Sequence, residues 1–347
     1  MLAAEIFYHK LNFIIPSGTS RGVLKNKPTW FIKIYHDDNP KIFGLGECGP
    51  IEGLSIEPID EMMSQLKKVQ NSINNLSSFD LTLFPSIQFG IENALKDLKN
   101  GGKRIIFKNS FFEGKPIKIN GLIWMGNKDF MISQIKSKIE KGFSCLKLKI
   151  GSIDFMEEIS ILKNIRKKFS SKVLEIRVDA NGAFSTKDIF KKLDTLEELK
   201  IHSIEQPIAT NQWSYLKEIC EKSPIPIALD EELIQLKKKK NEFIEYISPH
   251  YLVLKPTLIG GFKETKKWIN IAEKNNIKWW VTSALESNVG LSAIAQFCGN
   301  YQLSLPQGLG TGQLFSNNIS SPLEIKGENI FYKNDKTWDL SNFKKVK

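Results

Sequence analysis

Six charged residues recur through the middle of the chain in a pattern that can do chemistry. Two lysines stand two apart in Cys145-Leu146-Lys147-Leu148-Lys149, acids close Arg177-Val178-Asp179, Ser203-Ile204-Glu205 and Ala228-Leu229-Asp230, and a third lysine closes Val253-Leu254-Lys255. Each run is short, β-rich and charged at its C-terminal end. Alternate side chains of a strand point to opposite faces, so Lys147 and Lys149 share one face. Asp179 to Glu205 is 26 residues, Glu205 to Asp230 is 25, Asp230 to Lys255 is 25, and Lys149 to Asp179 is 30. That interval, with helical pattern between the strands, predicts successive strand-helix units of a parallel sheet. Closed into a barrel, such units bring their strand C-termini to one mouth, where barrel enzymes keep their chemistry.

Asp179, Glu205 and Asp230 have no histidine or cysteine beside them and form an all-oxygen site that suits Mg²⁺, with Mn²⁺ as a substitute. A metal there can take a substrate carboxylate and hold the negative charge that grows when the neighbouring carbon loses its proton. The paired lysines on one strand face make chemical sense as a base and its tuner. A lysine is ordinarily charged, but burial beside the ammonium of Lys147 and a divalent ion disfavours its protonated form. Lys255, across the barrel, reaches the other face of the same carbon or stabilises the enediolate by its charge. Taken singly, an acid at a strand end is an N-cap for the next helix, and a lysine reaches for solvent. Six in phase across five units are not explained that way.

Residues 2–15, 30–35 and 41–47 read as strands of a small antiparallel sheet, with loops at 16–27 and 48–55 that lean over a neighbouring site. Residues 57–75 and 84–99 follow helical periodicity, and Gly101-Gly102 ends the second helix. Residues 103–115 have no period and read as a mobile connector. The first barrel strand is expected over 117–124, a helix over 128–140, a seventh strand over 278–283 and an eighth over 301–305. The fold class is therefore α/β: a (β/α)7β TIM-like barrel over 116–305, preceded by an N-terminal α+β capping domain over 1–115. A C-terminal segment over 306–347 returns to the cap. The segment Ala284-Leu285-Glu286-Ser287-Asn288-Val289-Gly290 reads as a helix start whose N–H groups can receive an anion.

Composition limits the alternatives. With 41% hydrophobic and 25% charged residues the chain is an ordinary globular protein. It lacks an apolar run of membrane length and an export signal, so a cytoplasmic location is expected. Its four cysteines are scattered, which argues against a thiolate metal site or a disulfide framework. The net charge of +11 raises nucleic acid as a partner, yet only Arg21, Arg104, Arg166 and Arg177 are arginine. With the guanidinium fork so scarce, no specific nucleic-acid partner is expected, and the partner is a small-molecule carboxylate substrate. A basic binding scaffold without catalysis is the non-enzymatic alternative.

Lys147-Leu148-Lys149, Asp179-Ala180-Asn181, Glu205-Gln206-Pro207, Asp230-Glu231 and Lys255 resemble the metal and lysine signature of the enolase superfamily, muconate-lactonising branch. Within it, Ser283-Ala284-Leu285-Glu286-Ser287-Asn288-Val289-Gly290 and Gly308-Leu309-Gly310-Thr311 are similar to the o-succinylbenzoate synthase family, though that family often has Asp where Gly310 stands. The resemblance implies a Mg²⁺-dependent dehydratase of menaquinone biosynthesis acting on 2-succinyl-6-hydroxy-2,4-cyclohexadiene-1-carboxylate. Lys149 would remove the α-proton and protonate the departing hydroxyl, and Lys255 would stabilise the enediolate. Substrate contacts are expected from Asn181, Ser283, Glu286, Ser287 and Arg21, the last toward the succinyl carboxylate. The alternative in the same superfamily is a dipeptide epimerase or N-acylamino acid racemase. Dipeptide epimerases usually place Asp-x-Asp on the eighth strand for the substrate ammonium, and Leu305-Pro306-Gln307-Gly308 offers no acid.

Overall fold

The structure, a computed structural model, describes residues 1–19, 22–341 and 343–345. Strands β1 (Leu2–Thr19), β2 (Gly22–His36) and β3 (Asn39–Cys48) form an antiparallel sheet. The expected loop over 16–27 is instead the end of a long β1–β2 hairpin. Pro16 and Gly18 signal a turn, but a register shift between Asn12 and Ser17 absorbs them and pairing resumes beyond it.

Two cap helices, Met62–Asn71 and Pro85–Lys99, cover one face of this sheet. Met62, Leu66, Ile87 and Ala94 bury against Trp30, Ile32 and Ile34, and the larger aliphatics among them contribute about 1.5–3 kcal/mol each. The sheet and the second helix touch backbone to backbone. A Cβ on Gly46 would lie 1.7 Å from the carbonyl oxygen of Gly90, so only glycine allows that approach. Residues 103–115 are not a loose connector: Ile106 and Phe111 are buried, and Ile106 N–H donates to Gln296 Oε1 at 2.7 Å.

The expected first barrel strand is split. Its beginning, β4 (Ile117–Lys118), pairs outside the barrel with a C-terminal hairpin, and β5 (Gly121–Ile123) enters the barrel. Then follow β6 (Cys145–Lys149), β7 (Glu175–Asp179), β8 (Ser203–Glu205), β9 (Ile227–Leu229), β10 (Tyr251–Leu254) and β11 (Lys278–Val281), all parallel and in sequence order. Helices between them bury Leu193, Leu216 and Trp268 against the outside of the sheet.

Residues 301–305 do not form the eighth strand. Single parallel bridges at Ile119–Gln307 and Thr282–Gly308 join the first and seventh strands through the segment just after Pro306. Pro306 has no N–H to give a ladder, and pairing begins only beyond it. The C-terminal hairpin is β12 (Leu323–Lys326) and β13 (Asn329–Tyr332), and β14 (Lys344–Lys345) returns to pair with β1. Among the described residues no helix is long and apolar enough to cross a membrane, and all four cysteines are free and buried.

Candidate active site

Strand register places the charged residues. Lys149 pairs with Asp179 across β6–β7, and Asp179 with Glu205 across β7–β8, so three C-terminal residues lie side by side. Asp230 and Lys255 follow the last residues of β9 and β10 at the same mouth.

Lys147 Nζ lies between two carboxylates, 2.8 Å from Asp179 Oδ2 and 2.7 Å from Glu205 Oε1. Lys149 Nζ donates to Asp179 Oδ2 at 3.1 Å and to Asn181 Oδ1 at 2.6 Å, and Asn181 Nδ2 donates to Glu231 Oε1 at 2.8 Å. Lys255 Nζ donates to Asp230 Oδ2.

Burial acts on all of these groups, and their neighbours decide the outcome. For Lys147, burial alone would lower the pKa, but Asp179, Glu205 and Asp230 raise it. Lys149 is lowered, first by burial and then by Lys147 and Lys255, against the pull of Asp179. Lys255 is raised because Asp230 and Glu231 outweigh its burial. Burial opposes the charge of Asp179, yet Lys147 and Lys149 hold its carboxyl well below the usual range. Glu205 is pushed up to about 8 by burial and by the charge of Asp179.

As placed, no three acidic, histidine or cysteine groups among the described residues stand close enough to share an ion. The lysine ammonium groups hold the positions between the carboxylates. In kind, the donors fit a hard cation. They are all oxygen, Asp230 Oδ1 is buried without a hydrogen-bond partner among the described residues, and Glu205 carries carboxylate repulsion that a cation would relieve.

The three lysines line a cavity at the barrel mouth. Its barrel wall includes Leu122 and Trp124, its roof is Leu24, Ile51, Glu52 and Leu54 from the cap, and Thr282 to Leu285, Gly308, Gly310 and Thr311 also line it. Ser283 faces this cavity, but its hydroxyl is committed: it donates to Glu286 Oε2 at 2.5 Å and accepts from Thr311 Oγ1 at 2.7 Å. Glu286 and Ser287 are fully buried and do not reach the cavity wall; Glu286 binds Thr257, Ser283 and the Ala284 N–H, and Ser287 binds Glu47. Asn181 is tied to Glu231 as well as to Lys149, and it lines a separate pocket with Gln206 and Glu231. Arg21 lies outside the described residues.

Sequence reasoning missed Asn120, Leu122 and Trp124, which line the cavity from the first barrel strand and its end. Their shared parity was the available signal. No charge or motif marked them.

The "Enolase C-terminal domain-like" family model matches residues 131–327. An o-succinylbenzoate synthase from Desulfotalea psychrophila is 42% identical, over 94% of this chain and 98% of its own. An L-amino acid-D/L-Glu epimerase from Sulfurimonas denitrificans is 30% identical over 74% of this chain and 77% of its own. Among solved structures, MenC from Desulfotalea psychrophila LSv54 superposes with a TM-score of 0.86 at 39% identity, covering 95% of this chain and 99% of that one.

Proposed function

The chain belongs to the enolase superfamily, in its muconate-lactonising branch, and from that premise we propose that it is an o-succinylbenzoate synthase, a hydro-lyase. It converts 2-succinyl-6-hydroxy-2,4-cyclohexadiene-1-carboxylate to o-succinylbenzoate and water. The observation that carries this reading is the near full-length match, at 42% identity, to a synthase of that activity. The lysine arrangement supports it chemically. Magnesium as the metal, menaquinone synthesis as the route and the cytoplasm as the compartment belong to the same proposal.

Asp179, Glu205 and Asp230 would hold the magnesium ion, which supplies electrostatic stabilisation to the substrate carboxylate as charge builds there. Neutral Lys149 takes the proton from the carbon bearing the carboxylate. The released electron pair forms the ring double bond to C6, the C6–O bond breaks, and Lys149 returns its proton to the departing hydroxide as water. Lys147, held protonated between Asp179 and Glu205, keeps Lys149 from retaining a proton. Lys255 stays charged and faces the developing negative charge. The product ring is aromatic, so the demanding step is the first proton removal.

A second reading, epimerisation with Lys149 and Lys255 as opposed bases, is favoured by both lysines lining one cavity. Against it, the segment that closes the barrel carries no acid for a substrate ammonium, and Gln307 is committed to the Val281 N–H at 2.7 Å. Ultraviolet assay of the cyclohexadiene acid beside a panel of dipeptides and N-succinyl amino acids separates the two. Turnover of the acid is expected; turnover of the panel alone would replace the dehydratase with a racemase.

A further inference from the structure

Where the cap meets the barrel, a carboxylate outside the proposed chemistry is fully buried. Glu47, in β3, accepts from the Ser287 N–H at 2.8 Å, from Ser287 Oγ at 2.5 Å and from the Gly290 N–H at 2.9 Å. Ser287 is the N-cap of the helix Asn288–Cys298, so a carboxylate from the cap sits at that helix's positive end. The fit is close, since a Cβ on Gly290 would come within 3.0 Å of Glu47 Oε2.

Beside it stands Lys27 of β2, 3% exposed, whose Nζ makes no hydrogen bond among the described residues. Burial acts on it most strongly and lowers its proton affinity, opposed by Glu47, Glu286 and Glu57 in that order. Gly49 leaves room for the ammonium, as a Cβ there would lie 2.5 Å from Nζ. A buried charge with so few partners is costly to strand, which makes each member depend on the other.

All three anchors stand at the base of a cavity wall. Lys27 follows Leu24 on the hairpin, Glu47 precedes the loop of Ile51 and Leu54, and Ser287 follows Leu285. Leu285 has a φ of 61°, a left-handed conformation that a leucine holds only where its surroundings impose it. The carboxylate of Glu286 does so locally, with the Ala284 N–H folded onto it at 2.9 Å and 3.0 Å.

We propose that Glu47 is a positioning residue: through Ser287 and Gly290, with Lys27 as counter-charge, it sets Leu24, Ile51 and Leu54 of the cap against Leu285 and so closes the cavity over the substrate. The kinetic part rests on the dehydratase reading; the docking of the cap does not.

The test uses the full chain and the variants Glu47→Gln, Lys27→Met and their combination. Glu47→Gln strands the Lys27 charge, so KM for the cyclohexadiene acid should rise about tenfold with kcat within about twofold. Tryptic cleavage after the exposed Lys25 should accelerate by about tenfold, at a temperature where circular dichroism shows the fold intact. The double variant should move both values back toward wild type, because neither charge is then alone. A lowered Tm with unchanged KM and cleavage rate would make Glu47 a stabilising residue only and overturn the proposal. A double variant as impaired as Glu47→Gln would remove Lys27 from it. If wild-type protein does not turn over the acid, the dehydratase reading falls while the cleavage rates still decide the positioning role. Should Glu47→Gln not fold, Ser287→Ala, which deletes one donor to the carboxylate, is read by the same two measurements.

Discussion

Lys147 and Lys149 stand two residues apart on one face of β6, and their proton affinities are driven in opposite directions. The difference is one of neighbours. Lys147 is enclosed by Asp179 and Glu205, whereas Lys149 shares Asp179 and donates its second hydrogen bond to the oxygen of a neutral amide, Asn181 Oδ1. In the proposed mechanism that difference leaves Lys149 able to take a proton while Lys147 keeps its own.

Lys149→Ala should therefore lower kcat/KM for the cyclohexadiene acid by at least about 10³ with little change in Tm. Lys149→Arg should fare no better, since a guanidinium stays protonated. In wild type, kcat/KM should rise with pH as Lys149 deprotonates, at a pH below the ordinary lysine range. A steady-state pH profile and the two variants check this. Near-normal turnover by either would remove Lys149 from the mechanism.

Chelation should abolish turnover, and added Mg²⁺ should restore it. Binding is also readable without activity, because an ion that binds only the folded chain raises its stability by about 2.7 kcal/mol at a hundredfold excess over Kd. A Tm that rises with Mg²⁺ in wild type but not in Asp230→Asn is the expected result. An equal rise in both would place the ion elsewhere.

Glu57 offers a pH prediction away from the chemistry. Burial pushes its carboxyl up to about 7, against the hydrogen bond that the Ser86 N–H donates at 2.6 Å. A carboxyl raised in the folded state binds its proton more tightly there. Its contribution is present in full below the unfolded value near 4.5 and is lost as pH rises through about 7. The ceiling is about 3 kcal/mol. Wild-type Tm should thus fall between pH 5 and pH 8.5, and Glu57→Gln should flatten that fall and exceed wild type at the upper end. Parallel thermal melts of the two proteins decide it.

Gly46→Ala should destabilise the cap by more than about 3 kcal/mol, because its neighbour is a backbone carbonyl that cannot rotate away. Chemical denaturation should show a lost or separate cap transition. An unchanged midpoint would mean that sheet and helix can part freely.

Much of this was legible in the chain itself. The 25- and 26-residue intervals from Asp179 to Lys255 marked the strand ends, and the parity of Lys147 and Lys149 put both on one face, as the register now shows. Pairing by single bridges left no period to read, so the closing strand was sought over 301–305 and found at Gln307 and Gly308. Pro16 and Gly18 pointed to a loop because a local signal cannot reveal that β2 continues opposite them. Glu47 and Ser287 meet across 240 residues, a separation over which sequence pattern carries no information. The carboxylates were expected to face one another, and the lysines intervene because buried acids take the nearest cation on their own sheet.

The two halves of the ring differ in how firmly they are joined. From β6 to β8 neighbouring strands share runs of register pairs, whereas the joint at Gln307 and Gly308 rests on one pair to each side. Lys147 and Lys149 stand on the half with long runs of register pairs, Asn120, Thr282 and Thr311 stand along the joint held by single pairs, and Lys255 stands between the two. Mutational drift can therefore reshape what the cavity admits without disturbing how a proton is taken, and a single scaffold of this kind can pass from one substrate to another while its acid-base apparatus stays fixed.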